Sequence, residues 1–264
     1  DLGQQEMILA YLSQLPIEMF EESATGWHLY LPASAFDESF EAELKSICSR
    51  FDLTFSQEYL EDKNWNAEWE SNFEPVLVGS FCAIRATFHQ PIYDTLYEII
   101  VDPKMAFGTG HHETTFMMVQ AMEQLPLQGR KVLDYGCGTG VLAILAHKLG
   151  AAPITAIDID PLSVESTEEN VQLNETPGLT ILEGDLEVVE AADFDCILAN
   201  INRNVILHAL PQLATLCKAG GSLLTSGFLE GDEDLVKEAA AQQNFRPVRT
   251  FDRGEWRCIQ FEKV

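Results

Sequence analysis

The sequence predicts an α/β protein: a Rossmann-like parallel sheet with helices on both faces, preceded by a small α+β domain. Three observations predict this fold. From about residue 76, strand patterns alternate with helical patterns, as they do in parallel sheets. The apolar run 131–135 enters a glycine-rich turn, 136–140, and a helical pattern follows directly. The first 59 residues have a different order, helix–strand–strand–helix–strand.

The elements of the larger domain follow from the spacing of its apolar residues. We expect strands at 76–78, 82–86, 98–101, 131–135, 153–159, 179–183, 195–200 and 221–227. We expect helices at 114–125, 141–149, 161–174, 204–216 and 230–243. The last segment predicts a hairpin at the sheet edge, formed by 246–251 and 256–262.

The N-terminal block predicts a ferredoxin-like domain that lacks its first strand. Its expected elements are a helix at 4–15, strands at 19–22 and 28–31, a helix at 40–51 and a strand at 53–59. The missing strand would precede Asp1, and the chain has no initiator Met, so we expect an N-terminal piece to be absent.

A linker helix is predicted between the two domains. Trp65, Trp69 and Phe73 recur every four residues, which places them on one helix face that docks the linker. The expected organisation is therefore a domain at 1–59, a linker helix at 60–73 and a second domain at 74–264.

Composition limits the location and the partners of the chain. Six cysteines without a Cys-x-x-Cys pair indicate reduced thiols in a cytoplasmic protein. No secretory signal and no apolar run of membrane length is visible. The net charge of −26 repels phosphate backbones, so we expect no direct nucleic-acid binding and a basic partner. The alternative is that the charge confers only solubility.

The glycine-rich turn predicts the ligand. Gly136, Gly138 and Gly140 are spaced by two, whereas a dinucleotide site expects its third glycine three places after the second. Glycines spaced evenly by two are the usual pattern of sites that bind S-adenosylmethionine. We expect Gly136 and Gly138 to let the backbone approach that ligand, and Gly140 to permit close helix–strand packing. Asp134 braces the turn or meets the charged end of the ligand through water.

Acidic residues follow the next two strands. Asp158 lies 22 residues after Gly136, a suitable distance for binding ribose hydroxyls. Asp160 competes for that role, but it precedes Pro161 at a helix start and is better interpreted as an N-cap. Asp185 follows the third strand, where it accepts the adenine amino group or only faces solvent; both interpretations stay open.

Asn200 ends the fourth strand, where a reacting group would lie. Its amide can orient an incoming amine or hold the methionine moiety. Methyltransferases of nucleobases or glutamine amides would show Asn-Pro-Pro-Tyr here, and proline is absent at 201 and 202. No Ser-His-Asp or Cys-His arrangement stands out, and Cys137 is interpreted as packing.

A second dense motif occupies 107–115. Its glycines suit a loop that covers a ligand, and its threonines suit helix capping or a carboxylate. His111, His112 and Glu113 suggest a metal, but adjacent histidines do not share a helix face and His-Glu-x-x-His is absent. We therefore expect no metal site.

Five segments together resemble the bacterial ribosomal protein L11 methyltransferases, the PrmA family. These segments are 64–69, 102–110, 134–140, 158–161 and 199–201. The resemblance implies a substrate-recognition domain, a linker helix and a class I methyltransferase domain that methylates lysine side chains and the N-terminal amine of that ribosomal protein. It also implies that Thr115, Gly136, Asp158 and Asn200 contact S-adenosylmethionine.

The chain departs from the family pattern at two places. His111-His112-Glu113 replaces the usual Thr-His-Pro, which bears on loop closure. Asn202-Arg203 replaces a common Leu-Ala, which bears on substrate contacts more than on cofactor contacts.

The functional hypothesis is methyl transfer to amines of a basic ribosomal protein by a monomer. Asn200 orients the amine, and no dedicated base is apparent, so water or carbonyls near Asn200 receive the proton. Alternatives are a small-molecule methyltransferase, which would not need 1–59, and a non-enzymatic ribosome-assembly factor. An NAD dehydrogenase is a distant third.

Overall fold

The computed structural model describes most of the chain in segments. These are 19–23, 26–51, 53–58, 74–102, 113–190 and 192–264, together with Ile8, Leu12, Leu15 and Ile17. The predicted linker helix at 60–73 and residues 107–112 of the second motif lie outside the described residues. Contacts divide the chain into two compact units, Asp1–Asn66 and Ala67–Val264.

The first unit combines a hairpin with a helix. Strands β1 (Met19–Ser23) and β2 (Gly26–Tyr30) pair antiparallel. Helix α1 spans Glu38–Phe51, and the Asp37 carboxylate accepts a bond of 2.8 Å from the Phe40 amide in its first turn. The helix buries one face, and the core of the unit consists of Ile8, Leu12, Leu15, Phe40, Leu44 and Ile47.

The predicted strand at 53–59 is wrong over its described part, 53–58. These residues pair with no strand among the described segments, and 54–58 are exposed. The Leu53 amide donates to the Cys48 carbonyl at 2.9 Å, so the chain here closes the end of α1. The alternation of Leu53 and Phe55 indicated a strand, but alternation alone supplies no partner strand.

The second unit contains most of the elements. Its strands are β3 (Val76–Val78), β4 (Cys82–Ala86), β5 (Tyr97–Val101), β6 (Val132–Tyr135), β7 (Ile154–Asp158), β8 (Leu179–Glu183), β9 (Phe194–Asn200), β10 (Cys217–Leu229), β11 (Phe245–Arg253) and β12 (Trp256–Lys263). Its helices are α2 (Glu113–Met122), α3 (Val141–Lys148), α4 (Pro161–Leu173), α5 (Arg203–Leu216) and α6 (Glu233–Gln242). Short 3₁₀ turns cover Leu186–Val188 and Glu230–Asp232.

The ten strands named above form two sheets. The large sheet has the order β11-β12-β10-β9-β6-β7-β8, in which β8, β7, β6, β9 and β10 are parallel and β12 is antiparallel to both neighbours. Strands β3, β4 and β5 form a separate three-stranded sheet. The C-terminal hairpin closes one edge of the large sheet, as expected.

Helices cover both faces of the large sheet, which confirms the predicted α/β layering. One apolar core joins the sheet to α2, α3 and the three-stranded sheet. The other core joins it to α5 and α6. Within the part of the chain described here, no helix has the length and apolar character needed to cross a bilayer.

Candidate cofactor and active site

A cavity opens at the carboxyl ends of the central strands. Its volume is about 450 Å³, within the range of small-molecule sites. It lies at the point where the strand order of the sheet reverses. Strands β7 and β8 extend the sheet on one side of β6, and the next strand in the chain, β9, pairs on the other side of β6. The main lining residues are Thr115, Tyr135, Gly136, Cys137, Gly138, Asp158, Ile159, Ser163, Asn200, Ile201, Asn202, Val205, Gly227 and Trp256.

The glycine turn after β6 requires left-handed backbone at all three glycines. Their φ angles are +72° at Gly136, +55° at Gly138 and +78° at Gly140. A β-carbon on Gly140 would lie 2.8 Å from Cγ2 of Thr167 on α4, so the close packing there is between helices rather than the expected helix and strand. The Thr167 hydroxyl also donates to the Gly138 carbonyl at 2.8 Å, so α4 braces the turn.

Gly136 makes room for a side chain of the protein. A β-carbon there would lie 2.3 Å from Cγ2 of Ile201, the residue after β9. On the opposite side, a β-carbon on Gly227 would lie 2.0 Å from the Ile201 carbonyl oxygen. Ile201 therefore occupies a slot between two glycines, next to Asn200. In the sequence, Gly136 predicted a ligand contact, whereas nothing marked Gly227.

Asp158 ends β7 and lines the cavity. One carboxylate oxygen accepts from the Gly138 amide at 2.9 Å and the other from the Asp160 amide at 3.0 Å. These bonds fix the carboxylate against the glycine turn. Asp160 caps α4, accepting from the Leu162 amide at 3.1 Å and the Ser163 hydroxyl at 3.1 Å. The interpretation of Asp160 as an N-cap is confirmed.

Asp134 is buried directly beneath the turn. Its Oδ2 accepts from the Ala143 amide in α3 at 3.0 Å, whereas its Oδ1 finds no partner in the described part of the chain. Burial raises the pKa of this carboxyl to about 7; the Ala143 bond lowers it and the charge of Asp158 raises it. An acid that titrates near neutrality therefore lies below the cavity.

Asp134→Asn should make the free energy of unfolding less dependent on pH. A raised folded pKa stabilises the fold below the unfolded value of 3.8, and this contribution is lost as the pH rises through about 7. Between pH 4.5 and 8 the native chain should lose more than about 1.4 kcal/mol relative to the variant, the equivalent of one pKa unit. Urea unfolding measures this; a constant difference between the two proteins would refute the burial argument.

Asn200 and Thr115 meet although 85 residues separate them. The Asn200 amide nitrogen donates to the Thr115 hydroxyl at 3.1 Å, and both residues line the cavity. Thr115 is buried in the first turns of α2. An asparagine bonded through its nitrogen keeps its oxygen as an acceptor. The arrangement presents one fixed amide oxygen at the end of β9.

Other residues singled out in the sequence lie around this centre. Asp185 is exposed and is not part of the cavity lining; it accepts from the Tyr135 hydroxyl at 2.8 Å. Cys137 is buried, and burial raises the pKa of its thiol above the ordinary value, in keeping with packing. Trp256 and Val205 line the cavity but were missed, since nothing local marks them.

The residues that depart from the family pattern make contacts within the protein, as far as the structure describes them. Glu113 begins α2 and forms an ion pair with Arg253, whose guanidinium lies 3.7 Å from the centroid of the Phe116 ring. Asn202 caps α5 by accepting from the Val205 amide at 3.1 Å. Arg203 pairs with Asp232 at 2.5 Å. His111 and His112 lie outside the described residues.

The fold and the site together define a class. A parallel sheet with a glycine turn after β6, an acid at the end of β7 and a polar residue at the end of β9 is the arrangement of class I methyltransferases, whose cofactor is S-adenosylmethionine. The family model for ribosomal protein L11 methyltransferase (PrmA) matches residues 13–264. The chain belongs to that family.

Individual relatives agree with this membership. Ribosomal protein L11 methyltransferase of Phocaeicola vulgatus is 39% identical, over 97% of this chain and 92% of that protein. The enzyme of the same name from Porphyromonas gingivalis is 38% identical, over 97% and 90%. The crystal structure of ribosomal protein L11 methylase from Lactobacillus delbrueckii subsp. bulgaricus superposes with a TM-score of 0.67 at 29% identity, covering 72% of this chain and 99% of that chain.

Proposed function

We propose that this chain transfers methyl groups from S-adenosylmethionine to lysine side-chain and N-terminal amines of ribosomal protein L11. The observation that carries the proposal is the convergence of Thr115, Gly136, Asp158 and Asn200 on one cavity of a chain that belongs to the PrmA family. The proposed cofactor-binding residues are these four and Gly138. Asn200 is the proposed catalytic residue, through its contact with the amine.

The residues present suit this cofactor. We assign to the Asp158 carboxylate at the end of β7 the role of accepting from the ribose hydroxyls, and the exposed side chain of Ile159 offers an apolar surface beside it. Oδ1 of Asp134 has no partner among the described residues and lies outside the cavity lining, so we propose that it meets the ammonium end of the cofactor through water. Gly136 and Gly138 line the cavity beside Asp158, where we propose that their backbone contacts the cofactor.

The methyl group of S-adenosylmethionine is already activated by its sulfonium. The protein therefore supplies alignment and exclusion of water, and alignment alone can contribute about 7–11 kcal/mol. Asn200, held by Thr115, orients the amine with its amide oxygen. Ile201, Val205 and Trp256 make the neighbouring walls apolar.

An ammonium has no lone pair, so the substrate must lose a proton before transfer. Apolar walls lower the pKa of an amine that enters the cavity, and this favours the neutral form. Among the described lining residues the sole carboxylate is that of Asp158, and both of its oxygens accept backbone bonds. We therefore assign the proton to water rather than to a side chain.

The first unit is proposed as the substrate-recognition domain. We propose a ferredoxin-like domain at 1–59, a linker helix at 60–73 and the methyltransferase domain at 74–264; the consecutive β1, β2 and α1 support this proposal. The excess of 42 acidic over 16 basic residues favours a basic substrate and disfavours direct nucleic-acid contact. We propose a cytoplasmic monomer.

Mass spectrometry of the substrate tests the proposal. The chain is incubated with isotopically labelled S-adenosylmethionine and purified L11, and the labelled sites are mapped on peptides. Label is expected on lysine side chains and the N-terminal amine. No label on any amine of L11 would overturn the proposal; bound cofactor without turnover would favour an assembly factor.

Asn200→Ala provides the matched active-site variant. Loss of the fixed amide should lower kcat roughly 100-fold, the scale for a misplaced reacting group, because the amine is no longer oriented. Asn204→Ala, on the exposed start of α5, should leave kcat near the native value. Equal rates for the native chain and the Asn200 variant would remove Asn200 from the mechanism.

A further inference from the structure

Tyr135 connects two loops at the cavity. It is the last residue of β6, it is among the residues that line the cavity, and it is 6% exposed. Its hydroxyl donates to Oδ1 of Asp185 at 2.8 Å, just beyond the end of β8. Strand β7 lies between β6 and β8, so the bond bridges the two strands that flank β7, whose last residue, Asp158, lines the cavity. The bond therefore joins a residue of the cavity lining to Asp185, which lies outside that lining and is exposed.

Asp185 is held in the turn that follows β8. Oδ1 accepts a second bond, from the Leu186 amide at 2.7 Å, so two donors satisfy this oxygen. The Gly184 amide donates to the Asp158 carbonyl at 2.8 Å, which attaches the Asp185 loop to the end of β7. With Oδ1 satisfied, Oδ2 is the oxygen left to accept from a ligand.

The phenol is a constant donor. Burial and the bond to Asp185 raise the pKa of Tyr135 above its ordinary value, so the hydroxyl keeps its proton at any physiological pH. A buried tyrosine has two side-chain torsions and little freedom. It therefore fixes the rotation of the exposed Asp185 carboxylate. Without the tyrosine, the bond from the Leu186 amide would be the one remaining contact among the described residues that holds this carboxylate.

We propose that Tyr135 is a positioning residue that directs the Asp185 carboxylate at the exocyclic amino group of the cofactor's adenine. The inference rests on the proposed function, since it presupposes a nucleoside cofactor in the cavity. An ionised carboxylate accepts hydrogen bonds and donates none, so this arrangement selects a base that carries a donor. A base without the amino group leaves the carboxylate without its partner.

Two ligands separate this role from simple bracing of the loop. S-adenosylhomocysteine carries the amino group, and its 6-deamino analogue has hydrogen in that position. Calorimetry measures both dissociation constants for the native chain, Tyr135→Phe, Asp185→Ala and Tyr97→Phe. The Tyr97 variant is the control, since it removes one hydroxyl from the three-stranded sheet.

The native chain should prefer S-adenosylhomocysteine by about tenfold or more, the scale of one directed hydrogen bond. Tyr135→Phe should reduce this ratio at least about threefold while the analogue binds with nearly native affinity, and Tyr97→Phe should keep the native ratio. Asp185→Ala should bring the ratio near one.

Other results overturn the inference. Equal weakening of both ligands by Tyr135→Phe would show that the tyrosine only braces the loop. A native chain without preference, or an Asp185→Ala variant that keeps it, would remove Asp185 from base recognition. A native chain that binds neither ligand would instead overturn the proposed function.

Discussion

Asp158→Ala should weaken binding of S-adenosylhomocysteine by about 1–3 kcal/mol, roughly 5- to 160-fold in the dissociation constant. The variant removes the carboxylate that we propose as the acceptor for the ribose hydroxyls. It also leaves the Gly138 and Asp160 amides without the carboxylate that holds them at 2.9 and 3.0 Å. The glycine turn loses order at the same time as the ligand loses a contact. Isothermal titration calorimetry measures the change.

Asp160→Ala is the matched control for this prediction. Asp160 is two residues away, but its carboxylate caps α4 through Leu162 and Ser163. Its loss should lower the free energy of unfolding by about 1 kcal/mol and leave ligand affinity within about twofold of native. Native-like binding by Asp158→Ala, or an equal loss in both variants, would contradict the assignment of Asp158.

Gly227→Ala should lower the free energy of unfolding by about 3 kcal/mol or more. Its β-carbon would lie 2.0 Å from the carbonyl oxygen and 2.6 Å from the carbonyl carbon of Ile201, and backbone atoms cannot rotate away. Its φ of +103° is also unfavourable for alanine. Any displacement moves the backbone next to Asn200, so the variant should also lose methyl transfer.

Gly220→Ala separates the collision from the backbone strain. Gly220 lies in the same strand and has a φ of +73°, and a β-carbon there would have open space, with nothing within 4 Å beyond its chain neighbours. Alanine there should cost about 1–2 kcal/mol, the strain alone. Urea unfolding of both variants gives the comparison. Equal losses would show that the slot around Ile201 tolerates a β-carbon.

Local pattern was sufficient to predict the strand–helix alternation of the second unit. Strand β8 has the predicted bounds, and β6 and α3 differ from their predicted bounds by one residue. The reason is physical: a sharp turn that needs left-handed backbone favours glycine, and an aspartate just before a proline at a helix start favours the N-cap position. These signals depend on neighbours in sequence.

Contacts between distant segments could not be predicted in this way. The slot that holds Ile201 needs Gly136 from one strand end and Gly227 from another, and the Tyr135–Asp185 bond crosses an intervening strand. The alternation of apolar and polar residues in 53–58 indicated a strand. Such alternation shows which side chains are apolar, but it does not show whether a neighbouring strand is available for pairing. The separate sheet formed by β3–β5 likewise depends on which strands pair, and the local sequence pattern does not show this.

The most direct test of the central claim is a crystal structure of the chain with S-adenosylhomocysteine. The ribose hydroxyls should bond to the Asp158 carboxylate, with the homocysteine moiety extending past Gly136 and Gly138 towards Asn200. An adenosine bound outside the cavity at the carboxyl ends of β6, β7 and β9, or with its ribose away from Asp158, would contradict the account.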